Sequence, residues 1–341
     1  MQTRRKNRPS IEDVRKMVEI DGAKGWNMAK EILLRQETDN AQLKQALAYL
    51  TLIPDYFRPA LVAYCCEAVG GDPEITVPTG ASLVLLAKAI GIHDDIIDNV
   101  RKRGRHITTY GKFGKEIALI LSDVLLFKGF TLMRKNLEIG VQSETMSKIF
   151  ESIDQIWFEQ SESEVLECQF RAKTDVLPEE CLIKLRKRAS EVEAITRIGA
   201  ILGRASEKEV ESLAAYGRSI GMASILREEL VDMLELDVLK NRLKRESLPL
   251  PVVYVLQKAE ARQKLIPLIS QRKHTKSKLM EIVKTVNEFG GTNLTLKLLN
   301  ETVDDILLHI STFKHRKLNM IAEALKLDQW ELLNLCPPHV H

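Results

Sequence analysis

Residues 79–100 read TGASLVLLAKAIGIHDDIIDNV, and this stretch decides the predicted fold. Apolar residues recur in it mostly three and four positions apart, at Leu83, Leu86, Ala87, Ile90, Ile97 and Val100. That spacing predicts an α-helix, with Thr79 after Pro78 as its N-cap. Its longest apolar run, residues 81–92, is 12 residues long and contains Lys88. Because that run is too short to cross a bilayer, we expect no transmembrane segment.

Similar helical periodicity covers most of the 341 residues. The breaks coincide with clusters of turn-forming residues at 70–73, 103–114, 174–178 and 290–291. Alternating strand patterns and internal repeats are absent, and no linker divides the chain. The sequence therefore predicts an all-α fold, a single helical bundle of ten or more helices around a central cavity. We expect one domain over residues 1–341, with about ten N-terminal and about five C-terminal residues mobile.

Composition narrows the class of protein. The chain has 45% apolar and 28% charged residues, close to the globular average, and only 17 Gly and 11 Pro. Collagen-like and linker-like chains are thereby excluded. The net charge of +3 and an aromatic share of 5% give no reason to expect a nucleic-acid partner. The five cysteines are odd in number and form no CxxC pair, and no apolar segment follows the basic N-terminus, so we predict a cytoplasmic protein.

The predicted helix ends in a cluster of carboxylates. Asp94 and Asp98 are four residues apart, hence about 40° apart around a helix, and Asp95 lies beside them. Carboxylates this close repel one another unless a cation lies among them. Mg²⁺ suits such a site, since one or two carboxylates plus substrate phosphates commonly hold it. A solvated helix end is the alternative.

A second cluster repeats this spacing at Glu228, Glu229 and Asp232. Two such clusters facing each other across a helical cavity could hold several Mg²⁺ ions around a diphosphate. Basic runs at 101–105 and 242–245 offset the two clusters, so the small net charge conceals a cancellation. The run at 101–105 is either a solvated face or a clamp for diphosphate oxygens. The chemistry would then be ionisation, with cations stabilising the departing pyrophosphate.

From about residue 45 to 260 the chain resembles the trans-isoprenyl diphosphate synthases, all-α enzymes that couple an allylic diphosphate to isopentenyl diphosphate. The motifs occur in the family's order: FRPAL at 57–61, EAVGG at 67–71, IHDDIIDN at 92–99, KRG at 102–104, SDVLL at 122–126, REELVD at 227–232 and SLPLP at 247–251. Each motif alone is weak, but the ordered set is specific. It identifies the isoprenoid synthase fold and predicts a trans-prenyltransferase.

The resemblance implies roles for individual residues. It predicts two to three Mg²⁺ ions per active site, bound by Asp94, Asp95, Asp98, Glu228, Glu229 and Asp232. It predicts diphosphate-binding side chains at Arg58, Lys102, Arg103, Arg188 and Arg245. Lys102 would act with the first three aspartates in catalysis. Members of the family usually dimerise, so we expect a homodimer or a heterodimer with a homologous subunit.

Some positions depart from the family pattern. Asp55 stands where the family has a lysine that contacts isopentenyl diphosphate, and Ala87 stands where a histidine is expected. A carboxylate beside a diphosphate repels it, so these two changes question the isopentenyl diphosphate site. Ser224 and Ile225 replace a Phe-Gln pair before the second cluster. Because of these departures, the chain could instead be a non-catalytic or incomplete subunit of a heteromeric synthase. A class I terpene cyclase is a further alternative.

Product length can be predicted from the residues before the first cluster. In the family, the fifth residue before that motif commonly forms the floor of the product pocket. Here it is Ala89, with Leu85 and Leu86 about one turn deeper. A small floor residue resembles enzymes whose products are C20 or longer. Ordinary helix packing is the alternative role for Ala89.

Overall fold

The computed structural model describes residues 8–104, 106–271, 273–329 and 331–332, and the fold is all-α as predicted. The helices of the first half are α1 (Ile11–Asp21), α2 (Ala23–Leu34), α3 (Ala41–Tyr49), α4 (Phe57–Ala68), α5 (Val77–Ile97), α6 (Thr109–Phe113), α7 (Lys115–Met133), α8 (Lys135–Glu138) and α9 (Ser143–Phe170). The second half contains α10 (Pro178–Arg188), α11 (Ser190–Leu202), α12 (Glu207–Leu234), α13 (Leu236–Arg245), α14 (Leu250–Leu256), α15 (Ala259–Ile269), α16 (Lys276–Glu288), α17 (Gly291–Ile310) and α18 (Arg316–Leu325).

Two short strands interrupt the helices of the described ranges. Strand β1 (Lys102–Arg103) pairs antiparallel with β2 (His106–Ile107). Gly104 follows β1 with φ 57°, a left-handed conformation that favours glycine. The basic run at 101–105 thus forms part of an exposed ribbon, apart from Arg105, which lies outside the described residues.

By its internal contacts the chain divides into two compact units. Unit 1 comprises the described residues of Met1–Asp154, Ala194–Ala214 and Ile310–Ile321. Unit 2 comprises those of Gln155–Glu193, Ala215–His309 and Ala322–His341. Of the terminal residues predicted to be mobile, 1–7 and 337–341 lie outside the described residues.

Helix α5 is the core helix of unit 1. It begins at Val77, two residues before the predicted N-cap, so the expectation for Thr79 was wrong. A 3₁₀ turn (Pro73–Thr76) leads directly into the helix, and Pro78 fits its first turn because no helical partner is needed for its missing N–H. Thr79 is buried instead and donates a hydrogen bond to Asn136 Oδ1 over 3.0 Å.

Close packing against α7 accounts for the apolar composition of α5. Ser82 Oγ donates to the Gly129 carbonyl oxygen over 2.9 Å, and a Cβ at Gly129 would lie only 2.6 Å from Leu86 Cδ2. Residues 73–97 form the one stretch of the described chain long and apolar enough to cross a membrane, but 67% of an apolar 18-residue segment within it is buried inside the protein. Burial of this helix explains a sequence that would otherwise resemble a membrane span.

Candidate active site

The first acidic cluster lies at the C-terminal end of α5. The Asp98 amide donates to the Asp94 carbonyl oxygen over 2.9 Å, and Asn99 then adopts a left-handed φ of 54° that ends the helix. Asp94 and Asp98 are half-buried, whereas Asp95 is only 8% exposed. The spacing therefore places Asp94 and Asp98 one turn apart, as predicted, with Asp95 turned towards the protein interior.

Arg103 engages the buried member of this cluster. Its Nε donates to Asp95 Oδ1 over 2.8 Å, while the rest of the Arg103 side chain stays 61% exposed. Burial raises the pKa of Asp95, and the charge of Arg103 acts in the opposite direction. The ribbon is thereby fastened to the end of α5. Lys102, the neighbouring residue of β1, is exposed.

A buried serine holds the turn of α5 that precedes the cluster. Ser122 Oγ on α7 donates to the Ala89 carbonyl oxygen over 3.0 Å and lies 3.0 Å from His93 Nε2. Since the Ser122 proton is directed at Ala89, the hydroxyl oxygen is free to accept from His93 Nε2–H. Ser122 thus fixes the orientation of the residue just before Asp94.

Asp55, the charge inversion found in the sequence, is paired with the arginine expected to bind substrate. Asp55 Oδ2 lies 2.6 Å from Arg58 Nη1, and the Arg58 amide donates to Asp55 Oδ1 over 3.3 Å. Only 13% of the Asp55 side chain and 27% of the Arg58 side chain are exposed. The carboxylate therefore offsets much of the positive charge that Arg58 would offer to a diphosphate.

Lys88 is a second cation in this group, and no role was predicted for it from the sequence. Its Nζ donates to the Ile53 carbonyl oxygen over 2.9 Å and lies 5.2 Å from the Trp26 ring centroid. Burial lowers the pKa of Lys88 to about 8, with Asp55 acting against this change and Arg58 adding to it. The sequence does contain an indication of this role. Lys88 is the single lysine inside an apolar run, and it follows Ala87, which stands where a histidine was expected.

The second acidic cluster belongs to unit 2 and is arranged differently. Glu229 is 2% exposed, and its Oε2 accepts a hydrogen bond of 2.6 Å from the amide of Leu250, the first residue of α14. Its Oε1 lies 2.8 Å from Arg242 Nη1, and the same nitrogen lies 3.0 Å from Asp232 Oδ2. Glu229 therefore caps a helix and pairs with a buried arginine.

The remaining predicted residues of unit 2 are more exposed. Glu228 has 62% of its side chain exposed and lies 3.9 Å from Arg188 Nη2, whose own side chain is 49% exposed. Arg245 is an exposed residue at the end of α13. Glu228, Arg188 and Arg245 are thus the predicted side chains of this unit that solvent and solutes reach most readily.

The two clusters differ in how well they suit Mg²⁺. Among the described residues, no group of three His, Cys, Asp or Glu side chains converges as a preformed metal site. Mg²⁺ needs fewer protein ligands where phosphates and water complete its octahedron, so Asp94 and Asp98 fit it. Glu229 and Asp232 do not fit in their present arrangement, because Arg242 lies between them.

The residues expected to limit product length are buried in unit 1. Leu85 and Ala89 are fully buried and Leu86 is 5% exposed. Leu85 and Ala89 belong to the same core cluster as Leu121 and Leu125 of α7. A larger side chain at 89 must therefore displace its neighbours, and a role for Ala89 in product length stays a prediction.

Curated relatives match about half of the chain. A short chain isoprenyl diphosphate synthase of Methanothermobacter thermautotrophicus is 31% identical over 178 residues, which cover 52% of this chain and 54% of that protein. A (2E,6E)-farnesyl diphosphate synthase of Mycobacterium tuberculosis is 30% identical over 175 residues, covering 51% and 47%. The chain thus spans about half the length of the curated relatives it matches.

Solved structures match the fold over nearly the whole chain. A geranylgeranyl pyrophosphate synthetase from Pyrococcus horikoshii superposes with a TM-score of 0.83 at 20% identity, covering 93% of this chain and 99% of that one. A polyprenyl synthase from Caulobacter crescentus, complexed with calcium and isoprenyl diphosphate, gives 0.77 at 18% identity, with 93% and 97% covered. The predicted isoprenoid synthase fold is confirmed. Since residues 40–286 match polyprenyl synthetase, the chain belongs to the polyprenyl synthetase family.

Proposed function

We propose that this protein is a Mg²⁺-dependent trans-prenyltransferase that condenses an allylic prenyl diphosphate with isopentenyl diphosphate. The observation that carries the proposal is the pair Asp94 and Asp98, one turn apart where a buried apolar helix ends. Relatives described as isoprenyl and farnesyl diphosphate synthases support it. So does a structural neighbour that was crystallised with a divalent cation and an isoprenyl diphosphate. None of these relatives is described as a cyclase or a non-catalytic subunit.

The side chains of the first cluster suit the handling of an allylic diphosphate. Asp94 and Asp98 would hold Mg²⁺, which when bound supplies Lewis-acid stabilisation of the leaving diphosphate. Lys102 on the exposed ribbon is a cation for the outer phosphate oxygens. Arg103 binds Asp95 and in this way holds the ribbon beside the cluster. The apolar helices around α5 would exclude water from the allylic cation.

Arg58 and Lys88 are our candidates for binding isopentenyl diphosphate. Both are cations within the electrostatic reach of Asp55, and Lys88 restores the positive charge that Asp55 removes. The departures at 55 and 87 therefore alter this site without leaving it devoid of cations. Condensation would release diphosphate from the allylic substrate and a proton from the isopentenyl unit, while the second diphosphate stays bound.

The proposal also covers product length, location and oligomeric state. We expect products of C20 or longer from the small side chain of Ala89, and a cytoplasmic enzyme that acts as a dimer. We propose a single domain over residues 1–341, because the family match covers residues 40–286 without a break. We further expect fewer Mg²⁺ ions at the second cluster than the family pattern implies.

The proposal is tested by incorporation of labelled isopentenyl diphosphate into extractable product. The purified chain is incubated with Mg²⁺ and geranyl, farnesyl or geranylgeranyl diphosphate. We expect product with at least one primer, and loss of more than about 99% of the rate in Asp94→Asn/Asp98→Asn. The matched control is Asp304→Asn/Asp305→Asn, a second pair of neighbouring carboxylates, which should retain the rate. Equal losses in both double variants would contradict the assignment of the site.

A further inference from the structure

We infer that Arg242 is a built-in cation of the second acidic cluster and fills the space between Glu229 and Asp232, two residues that the resemblance predicts as metal ligands. Glu229 then ligates no metal ion, and Glu228, whose side chain is 62% exposed, is the carboxylate of the three most open to one. The inference rests on the proposed function only in that it concerns the same site. It makes Arg242 a positioning residue and removes Glu229 from the predicted metal ligands.

A single nitrogen atom of Arg242 contacts both carboxylates. Arg242 Nη1 lies 2.8 Å from Glu229 Oε1 and 3.0 Å from Asp232 Oδ2, so it bridges the two carboxylates. Mg²⁺ binds oxygen at about 2.0–2.1 Å and keeps several water molecules. An ion bound by both carboxylates would have to occupy the space that the guanidinium fills.

Both carboxylate oxygens of Glu229 already have partners inside the protein. Oε2 accepts the Leu250 amide over 2.6 Å, and Oε1 pairs with Arg242. The amide at the start of α14 is a helix N-terminal donor, which favours a negative partner. Moving Glu229 onto a metal would leave that donor without its acceptor and the buried guanidinium with one carboxylate fewer, at considerable cost.

Arg242 itself is buried. Leu239, Arg242 and Leu243 form the buried stripe of α13, so the arginine is packed as part of the helix face. Its side chain is 7% exposed. An arginine guanidinium is not deprotonated in proteins, so Arg242 is a fixed positive charge at this position.

The consequence is a cluster whose negative charge is largely offset without a metal. Glu228, Glu229 and Asp232 carry three negative charges when ionised, and Arg242 offsets one of them permanently. Arg188 lies 3.9 Å from Glu228 and offsets a second. A diphosphate near this cluster would meet the guanidinium of Arg188, which is 49% exposed, and not that of the buried Arg242.

The test counts Mn²⁺ ions by electron paramagnetic resonance, with inorganic pyrophosphate present and no prenyl substrate. The starting protein is Asp94→Asn/Asp98→Asn, in which the first cluster can no longer bind the metal. We expect this double variant to bind no Mn²⁺ through Glu229, so that adding Glu229→Gln leaves the bound amount unchanged. A bound ion that Glu229→Gln removes would overturn the inference.

A gain-of-binding variant completes the test. Arg242→Met in the same background should create a Mn²⁺ site, with affinity rising about tenfold or more because a fixed positive charge is removed from two carboxylates. Arg242→Lys keeps the positive charge and should not gain the Mn²⁺ site. If Arg242→Met fails to fold, the Glu229→Gln comparison decides alone. These experiments measure metal binding and not turnover. The inference can therefore hold in a protein that proves inactive, and it can fail in a protein that proves active.

Discussion

The pairing of Asp55 with Arg58 makes a quantitative prediction about the isopentenyl diphosphate site. Asp55→Asn removes one negative charge next to a cation that we assign to the substrate, with almost no change in side-chain size. The variant should bind isopentenyl diphosphate more tightly than the natural protein. It should also be less stable, because Arg58 loses a half-buried ionic hydrogen bond of 2.6 Å.

The size of the effect follows from the distances. A phosphate oxygen bound to the Arg58 guanidinium on the side away from Asp55 would lie roughly 6 Å from the Asp55 carboxylate, given ordinary hydrogen-bond lengths. Two unit charges at ~6 Å repel by about 0.7 kcal/mol at a dielectric constant of ~80 and by about 2.8 kcal/mol at ~20. We therefore expect Kd to fall between about threefold and about 100-fold. The lost hydrogen bond should lower the free energy of unfolding by about 1–2 kcal/mol.

Isothermal titration with isopentenyl diphosphate measures Kd without turnover if the allylic primer is omitted, and urea unfolding measures stability. Glu12→Gln is the matched control, since Glu12 also pairs with an arginine three residues away but is 49% exposed. It should change Kd by less than about twofold and leave the free energy of unfolding almost unchanged, because an exposed ion pair contributes little. A Kd that is unchanged or higher in Asp55→Asn would refute the reasoning, because Asp55 would then help Arg58 to bind.

Three further predictions concern other parts of the structure. Because burial lowers the pKa of Lys88 to about 8, this side chain loses its charge as the pH rises through that value, and affinity for isopentenyl diphosphate should fall there. Lys88→Arg keeps the charge and should flatten this alkaline decline; identical pH profiles would exclude Lys88 from the site. Glu229→Gln should lower the free energy of unfolding in urea by about 3 kcal/mol, since it leaves a buried arginine with one fewer carboxylate. Glu211→Gln, at a pair whose carboxylate is 60% exposed, should cost less than about 1 kcal/mol, and a similar cost for both would contradict the role of Glu229. Ala89→Phe should shorten the product, as read by reversed-phase chromatography of the dephosphorylated products, at a packing cost of about 1–3 kcal/mol; an unchanged product profile would show that Ala89 serves packing alone.

Features that depend on neighbouring residues in the chain were predicted from the sequence. The helix ending in Asp94 and Asp98 follows from apolar spacing and from the four-residue interval, and both are local properties. The start of α5 was placed three residues late, because a 3₁₀ turn from Pro73 already directs the chain into the helix. Such an entry depends on backbone geometry that the sequence pattern of α5 does not contain.

Features that depend on contacts between helices were beyond the sequence pattern. Glu229 was predicted as a metal ligand by its spacing, yet its surroundings are set by α13 and α14. Lys88 could not be assigned to Asp55 because they are 33 residues apart in sequence and their electrostatic interaction depends on tertiary packing. In both cases the residue type was visible in the sequence, while its partner was decided by tertiary structure.

The central claim, that this chain lengthens an allylic diphosphate by isopentenyl units, is tested most directly by the mass of its product. Farnesyl diphosphate, isopentenyl diphosphate and Mg²⁺ are incubated with the purified protein, and the lipid product is analysed by mass spectrometry. The account predicts a linear prenyl diphosphate of C20 or longer, with one diphosphate released for each isopentenyl unit added. Unchanged farnesyl diphosphate together with no product from geranyl or geranylgeranyl diphosphate, or a cyclic hydrocarbon formed without isopentenyl diphosphate, would contradict it.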